Sequence, residues 1–328
     1  MLKIAMIGAS GHGPGYCVPT VHCDDREFVA VAPGSVGEVV DGLVQRIRQF
    51  GSNPTVYTDY TELLRREKPD VVVVDNFYGE HAPVAEAAFG AGCHVFSEKP
   101  AASTPEELER LYDAWKSAGT CYAAMLDYRY HGAFSGAQRH IRDGAIGQVR
   151  LLNAQKSYKF GRRPGFMTAR ATYGGTIPWV GIHAIDWILW MSGGTFASVT
   201  ATQSAADAPN GVCPETTALA LYQMNDGMMA SLTVDYLNPA TAPTHGDDRI
   251  RVVGTKGVLE VRDNGITLIN ENGVQHPAND PDGDLFTAFL HQITDGEPCR
   301  LSGEASFAAA RGALLAQQAA DSGKTIYF

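Results

Sequence analysis

Lys3-Ile4-Ala5-Met6-Ile7-Gly8-Ala9-Ser10-Gly11-His12-Gly13-Pro14-Gly15 runs a short apolar segment straight into a bend rich in glycine. Lys3 to Ile7 reads as a buried strand, and the residues after the first glycines open a helix. Glycine permits a tight turn and close approach of a pyrophosphate, and the free N–H groups of a helix start attract an anion. The common spacing G-x-G-x-x-G would put glycine at position 10. Ser10 stands there instead and Gly11 follows, so the Ser10 hydroxyl becomes a further donor for a phosphate oxygen. A glycine-rich turn by itself binds nothing. Lying between the first strand and first helix of an alternating series, this one makes Gly8, Ser10, Gly11, His12 and Gly13 candidates for holding a dinucleotide.

The alternation is plain in the first third. Phe28 to Ala32 is a second strand, and Val71-Val72-Val73-Val74 is too apolar for a one-sided strand, which suits a parallel sheet covered on both faces. His81 to Phe89 reads as a helix that Gly90 and Gly92 can end. His94 to Ser97 is the next strand. Ser103-Thr104-Pro105-Glu106-Glu107 starts another helix, with a hydroxyl cap, proline in the first turn and acids at the positive end of the dipole. That helix runs to Ser117, and Cys121 to Met125 is a further strand. Strands and helices alternating at this spacing imply βαβ units and a doubly wound parallel sheet. The domain boundary falls near this last strand, giving domains of 1–122 and 123–328.

The second half changes rhythm. Val149–Tyr158, Ser198–Gln203, Thr217–Met224, Met229–Tyr236, Ile250–Val253, Val258–Val261 and Ile266–Ile269 read as strands. Asn225-Asp226-Gly227, Gly254-Thr255-Lys256-Gly257 and Asp263-Asn264-Gly265 supply hairpin turns. This implies an α/β domain with a large, mainly antiparallel sheet and two helices, Ile182 to Met191 and Glu304 to Ala320.

Two positions bear on the ligand. NAD sites often place an acid at the end of the second strand for the ribose hydroxyls. Here that strand ends Ala32-Pro33-Gly34-Ser35, with no acid and no arginine for a 2′-phosphate, so Ser35 is the nearest polar candidate and NAD and NADP stay undecided. Glu98-Lys99-Pro100 follows the strand His94–Ser97 at its carboxyl end, where open α/β sheets bind ligands. An ammonium held there can stabilise the alkoxide that develops as a hydroxyl-bearing carbon is oxidised. Glu98 can pair with Lys99 or fix the loop.

Pro69-Asp70-Val71 through His81, then Ala91-Gly92-Cys93-His94-Val95-Phe96-Ser97-Glu98-Lys99-Pro100, together with the glycine bend, resembles the Gfo/Idh/MocA oxidoreductases, the relatives of glucose–fructose oxidoreductase and inositol dehydrogenase. The resemblance continues through Gly144-Ala145-Ile146-Gly147-Gln148-Val149 and Gly254-Thr255-Lys256-Gly257-Val258-Leu259-Glu260. It implies an N-terminal Rossmann domain, NAD or NADP as cofactor, and a catalytic role for Lys99. The family's G-G-…-D-x-G-x-H-x-x-D segment reads Gly174-Gly175-Thr176-Ile177-Pro178-Trp179-Val180-Gly181-Ile182-His183-Ala184-Ile185-Asp186 here. The resemblance therefore carries the catalytic histidine to His183 and the last acid to Asp186. Trp179 departs from the aspartate that many members hold. His183 and Asp186, three apart, share a helix face, so the acid can orient the imidazole. An imidazole titrating near about 6.5 can exchange a proton with a substrate hydroxyl.

Other polar groups are candidates for reading the substrate. Period two puts Lys156 and Tyr158 on one strand face, suited to a carboxylate or a polyhydroxylated ligand. Arg129, after the Cys121–Met125 strand, lies where the resemblance implies pocket lining. Tyr173, Trp179 and Phe166 offer aromatic faces for a sugar ring. Pro243-Thr244-His245-Gly246-Asp247-Asp248-Arg249 reads as a solvated loop whose spacing matches no zinc or calcium motif, with His245 the residue available to a substrate. No metal is expected.

The formal net charge of −10 argues against non-specific binding of nucleic acid or anionic membranes. No apolar run reaches the roughly 18 residues of a membrane span. The cysteines at 17, 23, 93, 121, 213 and 299 lack CxxC spacing and read as reduced thiols of a cytoplasmic protein. An open antiparallel sheet leaves a face to bury, which implies a homo-oligomer, dimer or tetramer. The expected function is hydride exchange between a nicotinamide cofactor and a sugar, polyol or related acid. The rivals are a nucleotide-binding sensor that has lost catalysis and a semialdehyde-type reductase, which needs a nucleophilic cysteine at Cys121 or Cys213.

Overall fold

The computed structural model describes residues 1–21, 25–161, 163, 165–206 and 215–328. Cys23 and Cys213 lie outside the described residues. The chain divides into two compact units. One comprises Met1–Met125, Ala171–Gly174 and Leu285–Ala310; the other comprises Leu126–Arg170, Gly175–Asp284 and Arg311–Phe328. The sequence suggests one cut near residue 122, whereas the units exchange segments twice more along the chain.

The first unit opens with β1 (Leu2–Ile7), α1 (Gly13–Tyr16), β2 (Arg26–Ala32), α2 (Asp41–Gln49), β3 (Thr55–Val56) and α3 (Tyr60–Glu67). It continues with β4 (Val71–Val74), α4 (His81–Gly90), β5 (His94–Ser97), α5 (Pro105–Ala118) and β6 (Tyr122–Ala124). All six strands pair in parallel, in the order β3-β2-β1-β4-β5-β6. The four valines of β4 are fully buried, as a strand covered on both faces requires. The start of α5 is capped as its sequence implies, with the Thr104 hydroxyl accepting from the Glu107 amide and Gly119 closing the helix at φ +65°. The order reverses direction between β1 and β4, the switch point at which such sheets bind ligands.

The second unit begins with α6 (Gly132–Arg142), β7 (Val149–Tyr158), the single turn α7 that ends in the first unit (Arg170–Tyr173), and α8 (Ile182–Ser192). Then come β8 (Phe196–Ser204), β9 (Thr217–Met224), β10 (Met229–Asp235), β11 (Gly246–Gly254), β12 (Gly257–Arg262), β13 (Gly265–Asn270) and β14 (Gly273–Gln275). The chain ends with α9 (Leu285–Thr294), α10 (Gly303–Ser322) and β15 (Ile326–Tyr327). The sheet order is β14-β13-β12-β11-β7-β10-β9-β8-β15, antiparallel throughout except for the β7–β10 pair. Asp263 and Asn264 both adopt left-handed φ, which turns β12 into β13 with the right twist. Residues Ile182 to Ile188 of α8 are all buried, and α8 packs on β7. On β9 and β10 the outward residues Leu219, Leu221 and Met229 are 54%, 65% and 58% exposed.

The segment 243–249 is a loop only to residue 245. β11 starts at Gly246, pairing Gly246 through Arg249 with Tyr158 through Gln155, so Asp248 meets Lys156 across the sheet while Asp247 pairs with Arg249 on its own strand. In the first unit, Phe286 and Phe289 of α9 pack at 4.9 and 5.5 Å from Phe96 on β5.

Candidate active site

In the first unit the glycine bend meets the ends of β4 and β5. Gly8 sits at φ +94°, and a Cβ there would lie 2.2 Å from the Asn76 amide nitrogen, so no other residue fits. A Cβ on Gly11 would strike the carboxylates of Asp75 and Glu98 at 2.6 and 2.7 Å. The Ser10 amide donates to the Asp75 carbonyl at 2.7 Å. The amides of Gly11 and Gly13 each donate to the Asp75 carboxylate at 3.0 Å. The His12 amide donates to Glu98 Oε2 at 2.8 Å, and the His12 ring Nδ1 lies 2.7 Å from the same oxygen.

Glu98 is fully buried, and its Oε1 accepts from the Lys99 amide at 2.9 Å. Burial works to raise the Glu98 carboxyl, but the charges of His12 and Lys99 and the hydrogen bonds from His12 overcome it and hold the group down to about 2. Asp75 is held well above the usual carboxylate range by burial and by the charge of Glu98. Lys99 is 2% exposed, a buried cation at the carboxyl end of β5 rather than a solvated one. His81 lies between two carbonyls, with Nδ1 2.7 Å from Pro100 O and Nε2 3.1 Å from Asn76 O, and so ties the turn after β5 to the turn after β4. Burial pushes its pKa down.

The sequence reading missed Glu38. It lies six positions beyond the end of β2, and the turn through Gly34 and Gly37, the latter at φ +81°, folds it back to the glycine bend. Its Oε1 accepts from the Ala9 amide at 3.0 Å and from the Ser10 hydroxyl, and its Oε2 from the amides of Gly34 and Ser35 at 2.9 and 3.3 Å. Ser10 therefore spends its hydroxyl on Glu38. Ser35 turns its own hydroxyl to Asn76 Nδ2 and the Phe77 amide, each at 3.1 Å. The signal for it in the sequence is an acid within the turn after β2, beside two glycines, beyond the strand's last residues where such an acid is usually sought. The amides of Ala9 through Gly13 are thus all engaged, by the carboxylates of Glu38, Asp75 and Glu98 and by the Asp75 carbonyl.

In the second unit a different cluster forms. His183, on the first turn of α8, is 6% exposed, with its ring 5.3 Å from that of Tyr128. Tyr128 Oη donates to Asp248 Oδ2, and Lys156 Nζ reaches Tyr128 Oη at 2.5 Å and Asp248 at 2.7 Å. Lys156 is fully buried within an aromatic box, 4.1, 4.7 and 5.3 Å from the rings of Tyr128, Tyr158 and Trp187. Burial lowers the Lys156 pKa against the pull of Asp248, and burial raises that of Tyr128. The His245 ring lies 4.9 Å from Tyr158, and burial followed by the cations Arg163, Lys156 and Lys159 lowers its pKa. His245, Asp247 and Asp248 diverge, Asp247 pairing with Arg249 at 2.5 Å. Among the described residues no three His, Cys, Asp or Glu side chains gather as a metal site.

The structure thus brings Lys156 and His183 against Tyr128, with Tyr158 beside Lys156 and His245 against Tyr158. Asp186 is 1% exposed and bonded to Arg129, with Nη2 at 2.6 Å and Nε at 3.1 Å, which gives the buried guanidinium a counter-charge. Arg129 also stacks 5.4 Å from Trp190. Trp179 is 3% exposed in a π-helical turn, Ile177–Gly181, its amide donating to Gly175 O. Tyr173 is fully buried in the first unit.

Residues 2–125 match the oxidoreductase family with an NAD-binding Rossmann fold, and residues 134–260 match the Gfo/Idh/MocA C-terminal domain. A solved chain from Thermotoga maritima described as an oxidoreductase shares 38% identity over all of both chains, with a TM-score of 0.95. D-glucoside 3-dehydrogenase of Escherichia coli is 29% identical over 58% of this chain and 54% of that protein, so the chain spans about half the length of this relative. Levoglucosan dehydrogenase of Pseudarthrobacter phenanthrenivorans is 36% identical over 31% of this chain and 26% of its own.

Proposed function

The chain belongs to the Gfo/Idh/MocA family of oxidoreductases, and from that membership we propose that it oxidises a hydroxyl-bearing carbon, or reduces the carbonyl, of a sugar, polyol or related acid. The observation that carries the reading is the burial of Lys99 at the carboxyl end of β5, beside a glutamate that is itself bonded to the glycine bend. When bound, the nicotinamide dinucleotide supplies the hydride acceptor or donor. Lys99 donates a hydrogen bond to the substrate oxygen and stabilises its developing charge. His183 takes the hydroxyl proton during oxidation and returns it during reduction. Tyr128, Lys156, Tyr158 and His245 furnish hydrogen bonds and aromatic faces for hydroxyl groups, with Lys156 adding a cation for an acid. We further propose that the outward face of β9 and β10 joins a second copy of the chain.

The test is coenzyme titration followed by fluorescence, then turnover on a panel of aldoses, polyols and sugar acids. Lys99→Ala and His183→Ala are each expected to lower kcat by about 10²-fold or more. Robust turnover in both variants would sink the assigned roles. A second reading, a coenzyme-binding sensor without turnover, is favoured by Trp179 in place of an acid; tight coenzyme binding with no turnover on the panel supports it. The semialdehyde-type reductase fares worse: burial pushes the Cys121 thiol up, away from the thiolate such chemistry needs.

A further inference from the structure

We infer that Asp75 holds the anion position of the glycine bend in the free protein, and that a nicotinamide coenzyme binds only as Asp75 yields that position by taking a proton from solvent. The inference rests on the dinucleotide reading of the first unit and names how that site is regulated. A pyrophosphate is gripped by backbone N–H groups that have no other partner. Here every amide from Ala9 to Gly13 already has one. Asp75 takes the largest share. Its two carboxylate oxygens accept from Gly11 and Gly13 at 3.0 Å each, and its carbonyl accepts from Ser10. The contacts are tight as well as bonded, since a Cβ on Gly11 or Gly13 would lie 2.6 or 3.0 Å from Asp75 Oδ1. An amide N–H points one way, so those of Gly11 and Gly13 serve Asp75 or a phosphate, not both.

Charge ties this exchange to a proton. Asp75, Glu98 and Glu38 form an acid collar around the bend. The other titratable groups of this corner are His12 on the bend, Lys99 after β5 and His81 on α4. Against its burial, the charges of His12 and Lys99 hold the Glu98 carboxyl down to about 2, so Glu98 stays ionised. Asp75 goes the other way: burial, then the charge of Glu98, raise it against the pull of the Gly13 and Gly11 amides. A coenzyme that takes those amides removes the two contacts that favour the charged form, and adds the negative charge of its pyrophosphate. The proton therefore goes to an Asp75 carboxylate oxygen. As a carboxylic acid Asp75 no longer competes as an anion, and its O–H becomes a donor for a phosphate oxygen.

The experiment is isothermal titration calorimetry of the purified full chain with NADH and NADPH, from about pH 5.5 to 9. Pairs of buffers that differ in ionisation enthalpy count the protons taken up on binding. Asp75→Asn keeps the size and removes the charge. Wild type is expected to take up about one proton more than this variant at some pH in that range. Beyond that pH its Kd is expected to rise about tenfold per pH unit relative to the variant. Asp75→Ser, which shortens the side chain, is expected to match Asp75→Asn, so the test survives if one variant misfolds. His12→Gln removes the other exposed titrating group of the bend and is expected to keep the wild-type uptake. Equal uptake by wild type and a folded Asp75 variant at every pH overturns the inference, as does uptake that His12→Gln abolishes. Binding by the Asp75 variants alone supports it. Failure of wild type and every variant to bind either coenzyme overturns the dinucleotide reading itself, which is a separate result.

Discussion

Replacing Asp186 with alanine tests whether α8 is held by charge. Asp186 is 1% exposed and Arg129 6%, and the pair is bonded through both Nε and Nη2. Removing the carboxylate strands a guanidinium in a region that water does not reach, which costs about 3–5 kcal/mol. At roughly 2–4 °C per kcal/mol for a folding unit of this size, the midpoint should fall by about 6–20 °C. The double replacement Arg129→Met with Asp186→Leu removes both charges and keeps the volume, so it should recover most of the loss. The assay is urea unfolding followed by far-ultraviolet circular dichroism and by tryptophan fluorescence, since Trp187 and Trp190 lie on the same helix. A loss under about 1 kcal/mol for Asp186→Ala, or a double variant as unstable as the single one, would refute the argument. Turnover by a stable double variant separates the scaffold role of Arg129 from the substrate contact that its sequence position suggests.

The remaining predictions concern the acid collar and the open sheet. Glu98 is held down to about 2 against an ordinary 4.5, so its ionised form contributes stability that is complete above about 4.5 and lost as pH falls toward 2. The stability gap between wild type and Glu98→Gln should therefore be widest at pH 7 and close between pH 4.5 and 2.5; a gap independent of pH in urea titrations would contradict the assignment. Leu221→Glu, at a position 65% exposed on β9, should shift sedimentation from an oligomer to a monomer with little change in unfolding midpoint. Wild type sedimenting as a monomer at micromolar concentration would remove the reason for expecting it.

What could be read from the sequence follows the range of the forces involved. β1, β4 and the start of α5 were legible because their determinants are local: a valine run can only be buried on both faces, and a Thr-Pro-Glu-Glu start satisfies its own amides. α2 and α3 are not legible because each buries only two or three side chains on a short, charged helix, too few to set a pattern. The polar run at 246–249 looked solvated for the same reason. Its partners are on β7, about ninety residues away in sequence, and only pairing reveals that Asp248 answers a lysine with no access to water. Asp186 shows what spacing leaves out. Three residues' separation puts an acid on the same helix face as His183, but nothing local shows that Arg129, 57 positions earlier, brings its guanidinium to the same carboxylate. Long-range hydrogen bonding likewise explains Glu38, which its sequence marks only as an acid in the turn after β2. Four donors from two separate turns draw it in, so its position is decided by the unmet hydrogen bonds of the bend rather than by its distance from the end of β2. Acids around a phosphate bend are thus better found by asking which backbone amides remain to be satisfied than by counting residues from a strand.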